Sequence, residues 1–155
     1  MHVQKCTATI GRLLLPFLIA LIFLLPPFCL AAANSSVSGQ LVDLNKLAAR
    51  SVSANPAKAI EYAETALQLA IESKNNEAQS IALLNIGLAH LQLGNLTQMK
   101  RALENSLHAA QQADYKKGQG DAHNFLGTYY WENGLFDQAQ KHYTQAVAIR
   151  AGLKD

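Results

Sequence analysis

Cysteine is scarce in this sequence and occurs only near its beginning. The chain of 155 residues has two cysteines, Cys6 and Cys29. Both lie before residue 34, where we expect the mature protein to begin. A mature domain without cysteine forms no disulfide even in an oxidising compartment, so its stability must come from packing alone.

An excess of charge of either sign is missing as well. The whole chain has a formal net charge of +2, and the segment 1–33 contributes Lys5 and Arg12 but no acid. Beyond residue 33, the 11 remaining basic side chains balance the 11 acidic ones. A neutral domain without a basic run has no electrostatic reason to bind nucleic acid, and we predict no such partner.

The sequence also lacks the patterns that mark catalytic, cofactor and metal sites. It has no Ser/His/Asp constellation, no glycine-rich phosphate loop and no paired-carboxylate motif. Four histidines follow residue 33: His90, His108, His123 and His142. No two of them are three or four residues apart, as metal ligands on one helix would be. We predict no catalytic residue, no cofactor and no metal, and we expect His90 and His123 to pack in place of aromatic side chains.

The segment 1–33 does have the pattern of a secretory signal peptide. A basic start precedes an apolar run over residues 13–25, and small residues follow at Ala31 and Ala33. We expect cleavage after Ala33 and a periplasmic mature protein. The alternative is an inner-membrane anchor facing the periplasm, because residues 13–33 are long enough to span a bilayer, which needs ~20 apolar residues. Membrane association is expected only if this segment is uncleaved.

The rest of the chain has the apolar spacing of helices. Residues 34–40, rich in serine, are predicted to be a flexible lead. From Leu41 onward, apolar residues recur at intervals of three and four, which is typical of helices. The predicted helices are a short one from residue 41 and five more over 56–73, 76–93, 97–114, 121–132 and 137–151. We predict a polar loop over 116–120. Six helices joined by short turns fit three helical hairpins, which is an all-α fold.

Two stretches of the chain, residues 85–94 and 125–134, correspond position by position and define a 40-residue period. This period aligns Gly87 with Gly127 and Gly94 with Gly134. It also aligns one position across three copies, at Ala59, Met99 and Ala139. Three copies are about the minimum for a stable array, because each hairpin must bury its apolar face on a neighbour.

The last copy resembles a tetratricopeptide repeat. In that family a small residue and an aromatic lie on the first helix, glycine lies at the turn, and alanine, an aromatic and alanine follow on the second helix. The residues at these positions are Gly127, Tyr130, Gly134, Ala139, Tyr143 and Ala146. The resemblance covers roughly residues 56–150, with a 40-residue period longer than the usual ~34. It implies an all-α, right-handed superhelical solenoid of about three repeats: a degenerate one over 41–75, then 76–115 and 116–155.

The resemblance also implies where a partner binds. In the family, the first helix of each hairpin mainly lines the concave surface, so the candidates are residues of these helices that are not used to pack the pair. They are Leu84, Leu88, Gln92, Asn124, Thr128, Trp131 and Glu132. Trp131 suits a binding hot spot. The alternative, that its ring only packs against its neighbours, is left open.

Two functions follow from the resemblance. The first is an exported protein-interaction scaffold that binds a protein or peptide through the concave face, without catalysis. The alternative is the truncated extracytoplasmic input domain of a membrane signalling protein, of the diguanylate cyclase or sensor kinase type.

Overall fold

The computed structural model describes residues 27–153, with side chains from Ser36 onward. The described residues from Val37 onward belong to one compact unit. The predicted signal peptide lies mostly outside the described residues, so it stays a prediction. Between residues 27 and 153, no helix combines the length and the apolar character needed to cross a bilayer.

Six α-helices follow one another in the described part of the chain. They are α1 (Pro27–Ser51), α2 (Pro56–Glu72), α3 (Asn76–Gln92), α4 (Leu96–Gln112), α5 (Lys116–Glu132) and α6 (Phe136–Ala151). No β-strand occurs over residues 27–153. From α2 onward a helix begins at every twentieth residue, so two helices and their connections make up one 40-residue period. The prediction of an all-α helical-repeat solenoid with about three hairpins is confirmed.

Asparagine caps begin α2 and α3. The side chain of Asn55 accepts a hydrogen bond from the Lys58 amide at 3.0 Å, and Pro56 at the first helical position has no amide hydrogen to leave unpaired. Asn75 accepts from the Ala78 amide in the same way, at 2.9 Å. The start predicted at residue 56 is therefore confirmed, and the cap of α3 is Asn75.

The connections after α2, α3, α4 and α5 are equally short, and each contains one residue with positive φ. These residues are Lys74 (φ 54), Gly94 (φ 72), Asp114 (φ 50) and Gly134 (φ 73). Glycine adopts this conformation freely, whereas other L-residues pay roughly 1–2 kcal/mol. The two glycines lie at the turns inside the hairpins, where the sequence predicted them.

The stretch predicted as a polar loop, residues 116–120, is instead the first turn of α5. Gly118 and Gly120 are buried there. A Cβ atom on Gly118 would fall against the Tyr115 ring and 3.0 Å from the Ser80 hydroxyl. A Cβ on Gly120 would lie 3.4 Å from Cγ of Arg150. These glycines make room for neighbouring side chains and do not turn the chain, so the loop prediction was wrong.

The stretch predicted as a flexible lead, residues 34–40, lies inside α1. It contains no proline, and Gly39 alone costs a helix only about 1 kcal/mol. Immediately after it, Leu41, Asn45 and Ala48 are buried and hold α1 against its neighbours. This packing outweighs the weak helix preference of the serine-rich stretch.

The core contains small residues at the start of the array and large ones near its end. Four alanines are buried on α2: Ala59, Ala63, Ala66 and Ala70. Such small side chains let helices pack closely. Around Met99, Leu103 and Leu126, by contrast, larger apolar side chains form one group, which we call the α4–α5 cluster. Its partly buried members are Leu84, Leu91, Leu96, Leu107, Phe125 and Tyr129. This cluster packs the last hairpin against the middle one.

Two glutamines at equivalent repeat positions make equivalent bonds between hairpins. Nε2 of Gln79 donates to the carbonyl of Ala70 at 3.3 Å, and Nε2 of Gln119 donates to the carbonyl of Ala110 at 3.2 Å. Each bond links the first helix of a hairpin to the end of the preceding helix. The 40-residue period therefore extends to polar contacts.

Candidate partner-binding surfaces

A groove of about 450 Å³ lies between the first helices of the first two hairpins, α1 and α3. We call it the α1–α3 groove. Its principal wall residues are Leu41, Val42, Asn45, Ile81 and Asn85. Most of this wall is apolar, and its polar side chains are those of Ser38, Asn45, Lys46, Asn75, Glu77 and Asn85.

The groove is built by contacts that fix α1 to α3. Leu41 is buried among Ala70 of α2 and Ala78 of α3. Nδ2 of Asn85 donates to the backbone carbonyl of Asn45 at 3.2 Å, within the protein interior. Because both contacts join separate helices, the groove wall is held in place before any partner binds.

Asn45 is the unusual residue in this groove. It is only 7% exposed, and its Oδ1 atom has no hydrogen-bond partner among the described residues. A buried acceptor without a donor costs about 1–3 kcal/mol. Oδ1 is shielded from solvent, so a bound molecule that places an N–H group at Oδ1 recovers this energy only if the Asn45 side chain turns toward the groove.

The rest of the groove suits a segment with both apolar and polar groups. Leu41, Val42 and Ile81 offer apolar contact, while Lys46 and Glu77 bring opposite charges to the lining. An extended peptide has side chains on alternate sides and a backbone N–H at each residue except proline. The groove can therefore receive apolar side chains while Asn45 accepts one backbone hydrogen bond.

Two of the candidates predicted on α3 pack against other helices. Leu84 is half-buried against the α4–α5 cluster, and Leu88 packs against the buried residues Val52, Ala59 and Ala89. Gln92 is exposed at the end of the helix. The face of α3 that lines the groove has Ile81 and Asn85 instead. Asn85 could have been found from the sequence, because Asn45 occupies the equivalent position one repeat earlier.

The candidates on α5 are placed in two different settings. The Thr128 hydroxyl donates to the carbonyl of Asn124 at 3.3 Å, and the Tyr143 hydroxyl donates to Oγ1 of Thr128 at 3.4 Å. Thr128 thus belongs to the packing of α5 on α6, whereas Asn124 is half-buried and only its backbone carbonyl takes part in these bonds. Glu132 is exposed at the last position of α5.

Trp131 lies in a second groove, away from the α3 candidates. Its side chain is 56% exposed and meets the Phe136 ring edge-on, with ring centroids 4.9 Å apart. This groove, of about 530 Å³, lies along α6, and we call it the α6 groove. Its lining is Trp131, Phe136, Ala139, Gln140, Tyr143, Thr144 and Val147. Trp131 was predicted from the sequence as a candidate, whereas the α6 residues around it were not.

Two histidines from different helices meet across the last hairpin. Nδ1 of His123 on α5 lies 3.0 Å from Nδ1 of His142 on α6, and the Tyr130 ring stacks on His142. Burial lowers the pKa of both histidines; a charge on His142 lowers that of His123 further, and Glu104 opposes the shift at His142. A neutral pair in which one ring donates to the other stabilises this hairpin. Over residues 36–153, no group of three or more His, Cys, Asp or Glu side chains is arranged to hold a metal ion.

Comparisons with known proteins agree with this architecture. A family model described as tetratricopeptide repeat matches residues 78–151, which span α3 to α6. The crystal structure of the TPR domain of Arabidopsis FLU is similar, with a TM-score of 0.65 and 20% sequence identity. The likeness covers 72% of this chain and 95% of that one, and at this identity it concerns the fold alone. No curated protein matches the sequence.

Proposed function

Because this chain is a tetratricopeptide repeat protein, we propose that it is a protein-interaction scaffold whose α1–α3 groove binds an extended peptide segment of a partner protein. One observation supports this proposal above the others. Oδ1 of Asn45, a residue that lines this mostly apolar groove and is only 7% exposed, is a shielded hydrogen-bond acceptor without a donor among the described residues.

The bound segment would satisfy both properties of the groove. One of its backbone N–H groups donates to Oδ1 of Asn45 once this side chain turns toward the groove, which removes the cost of the unpaired acceptor. Its apolar side chains contact Leu41, Val42 and Ile81. The partner is accordingly a protein with an extended, partly apolar segment, and the scaffold needs no catalytic group to bind it.

The proposed binding surface lies next to the residues predicted from the sequence and does not include them. Leu84 and Leu88 are used in packing between helices, whereas Val42 is 47% exposed in the groove. As part of the same proposal, export directed by residues 1–33 would make the partner a periplasmic protein.

Site-specific photocrosslinking in cells tests the groove. A photoreactive amino acid at Val42 is expected to crosslink one partner, which mass spectrometry then identifies. Ile71 on α2 provides the matched control, because it is 50% exposed and does not line the groove. Equal crosslinking of that partner from positions 42 and 71 would argue against the groove.

The hydrogen bond to Asn45 is tested with the segment that crosslinks. Asn45→Leu is expected to weaken binding of this segment about tenfold, which corresponds to a loss of ~1.4 kcal/mol. Gln92→Ala, at an exposed position outside the groove, is expected to leave the affinity unchanged. Isothermal titration calorimetry measures both, and an unchanged affinity for Asn45→Leu would exclude the proposed bond.

A further inference from the structure

The α6 groove in the last hairpin corresponds, one 40-residue period later, to a surface of the middle hairpin that α5 covers. The 40-residue period relates two sets of positions. Leu91, Leu96, Met99, Leu103 and Leu107 in the middle hairpin correspond to Trp131, Phe136, Ala139, Tyr143 and Val147 in the last. The second set lines the α6 groove.

In the middle hairpin this surface is the binding site of α5. Met99 and Leu103 are buried, and Leu91, Leu96 and Leu107 are partly buried, in one cluster with residues of α5. The α5 residues in the cluster are Phe125, Leu126 and Tyr129. Large apolar side chains at positions i, i+1 and i+4 of a helix therefore fit this kind of surface.

In the last hairpin three of the five equivalent side chains are open to solvent, whereas Tyr143 is half-buried and Ala139 is buried. Trp131 is 56% exposed, Phe136 58% and Val147 65%. Within the described residues, no helix lies after α6. Neighbouring exposed apolar groups of this size are typical of an interaction surface.

We propose that the α6 groove binds an amphipathic helix of a partner protein, in the way that α4 binds α5. The α6 groove is, one repeat further on, the counterpart of the surface on which the last hairpin packs against the middle one. The partner helix presents large apolar side chains at i, i+1 and i+4, as α5 does. This site is separate from the α1–α3 groove, and it accepts a helix where that groove accepts an extended segment.

The polar residues that line the groove limit which kind of partner helix it can bind. In the middle hairpin, Lys100 pairs with Glu104, and its ammonium lies 5.7 Å from the centroid of the Tyr129 ring of α5. The equivalent positions of the last hairpin are Gln140 and Thr144, which carry no charge. The partner helix is therefore recognised by apolar packing and neutral hydrogen bonds, without a cation–π contact from this side.

The shape of the surface favours a helix over a second copy of this chain. A two-fold dimer would place the α6 groove opposite itself, because a two-fold interface uses the same patch on both subunits. Two concave surfaces leave a gap between them. The convex ridge of a single helix fills one groove, as α5 does at the preceding repeat.

The chain contains its own probe for this site. Trp131 is its single tryptophan, so the intrinsic fluorescence of the full chain reports on the α6 groove. A synthetic peptide of residues 116–130 has the α5 residues that cover the equivalent surface and contains no tryptophan. The expected result is a saturable blue shift of the Trp131 emission as the peptide is added.

Two variants distinguish specific binding from general adhesion. Val147→Glu places a charge in the groove at an exposed site and is expected to weaken peptide binding at least about tenfold. Ile71→Glu, at an exposed site on α2 that lies outside the groove, is expected to leave the affinity within about twofold. Equal weakening by the two substitutions would overturn the proposal.

A short peptide pays a cost to form a helix, so the same segment is also joined after Asp155 through a flexible Gly-Ser linker. The linker raises its effective concentration to the millimolar range. The expected result is a blue shift and a higher Tm than the unextended chain, both lost with Val147→Glu. No blue shift in the linked protein would overturn the proposal. The proposal would also be overturned if the protein without peptide dimerised in analytical ultracentrifugation and Val147→Glu made it monomeric. The occupant of the groove would then be a second copy of this chain.

Discussion

The middle and last hairpins have equivalent backbones but different surroundings. Gly87 on α3 faces Leu103 on α4, and Gly127 on α5 faces Tyr143 on α6. Leu103 is fully buried, because α5 covers α4. Tyr143 is half-buried, and its ring lines the open α6 groove. The repeat determines which residues face each other, whereas the next helix determines whether they are enclosed.

The difference also shows how each hairpin uses its polar groups. Tyr143 reaches back to Thr128 with its hydroxyl, so part of the last hairpin is stabilised by a hydrogen bond next to solvent. The middle hairpin has Leu103 at the same position and depends on apolar burial. Substitutions at paired positions should therefore cost more in the middle hairpin than in the last.

The largest expected difference is between Leu103→Ala and Tyr143→Ala. Truncating a fully buried leucine leaves a cavity and should lower the free energy of unfolding by about 2–5 kcal/mol. Truncating Tyr143 should cost about 1–2 kcal/mol, because water can enter the space left by a half-buried ring. Urea denaturation measures both. An equal or larger loss for Tyr143→Ala would mean that the last hairpin is enclosed in solution.

A smaller difference is expected between Gly87→Ala and Gly127→Ala. The new methyl at position 87 would lie 2.9 Å from Cδ2 of Leu103, which is enclosed and cannot move away, so we expect a loss of about 1–3 kcal/mol. The methyl at position 127 would lie 2.7 Å from Cδ1 of Tyr143, but this ring can swing toward the α6 groove. Thermal unfolding should therefore show a smaller decrease in Tm for Gly127→Ala. The reverse order would show that Tyr143 is held as firmly as Leu103.

The smallest expected effect is a pH dependence of stability that arises in the last hairpin. Burial lowers the pKa of His123 and His142 from the ordinary value of 6.5. The unfolded chain then binds more protons than the folded one just below that value. The stabilisation is fully present above pH 6.5 and falls as the pH decreases toward the folded pKa values.

The double variant His123→Gln/His142→Gln tests the origin of this dependence. In the double variant, the urea midpoint should decrease less as the pH falls below 6.5. The control is His108→Gln at an exposed position, which should leave this decrease unchanged. Burial also lowers the pKa of His90, with Glu64 opposing the shift, so some dependence will remain. A double variant with the full pH dependence of the wild type would assign the effect to His90 in the middle hairpin.

Repetition made most of the fold predictable from the sequence. The cap at Asn55 and the turns at Gly94 and Gly134 have local chemical causes that can be read without a structure. The start of α5 was missed because Gly118 and Gly120 are also typical of a loop. Their cause is a close contact with Tyr115, Ser80 and α6. Applying the 40-residue period to the start of α3 at Asn76 would have placed the start of α5 at Lys116.

The candidate surfaces were harder to predict than the helices. Whether Leu88 is packed or exposed depends on Val52, which lies in a different hairpin. The unpaired atom of Asn45 becomes evident only when every neighbouring donor has been placed. Trp131 could be recognised from the sequence as a large amphipathic side chain. Its exposure could not, because α5 covers the counterpart Leu91, whereas no helix follows α6 among the described residues.

The regular start of a helix at every twentieth residue limits how this chain can change in length during evolution. One residue inserted within a helix rotates every later side chain by about 100° around the axis. Such an insertion would move Ala139 or Gly127 away from the facing helix. Gain or loss of one complete hairpin leaves every packing face where it was. Natural variants of this protein should therefore differ by whole hairpins, and single-residue insertions should be confined to the short connections between helices.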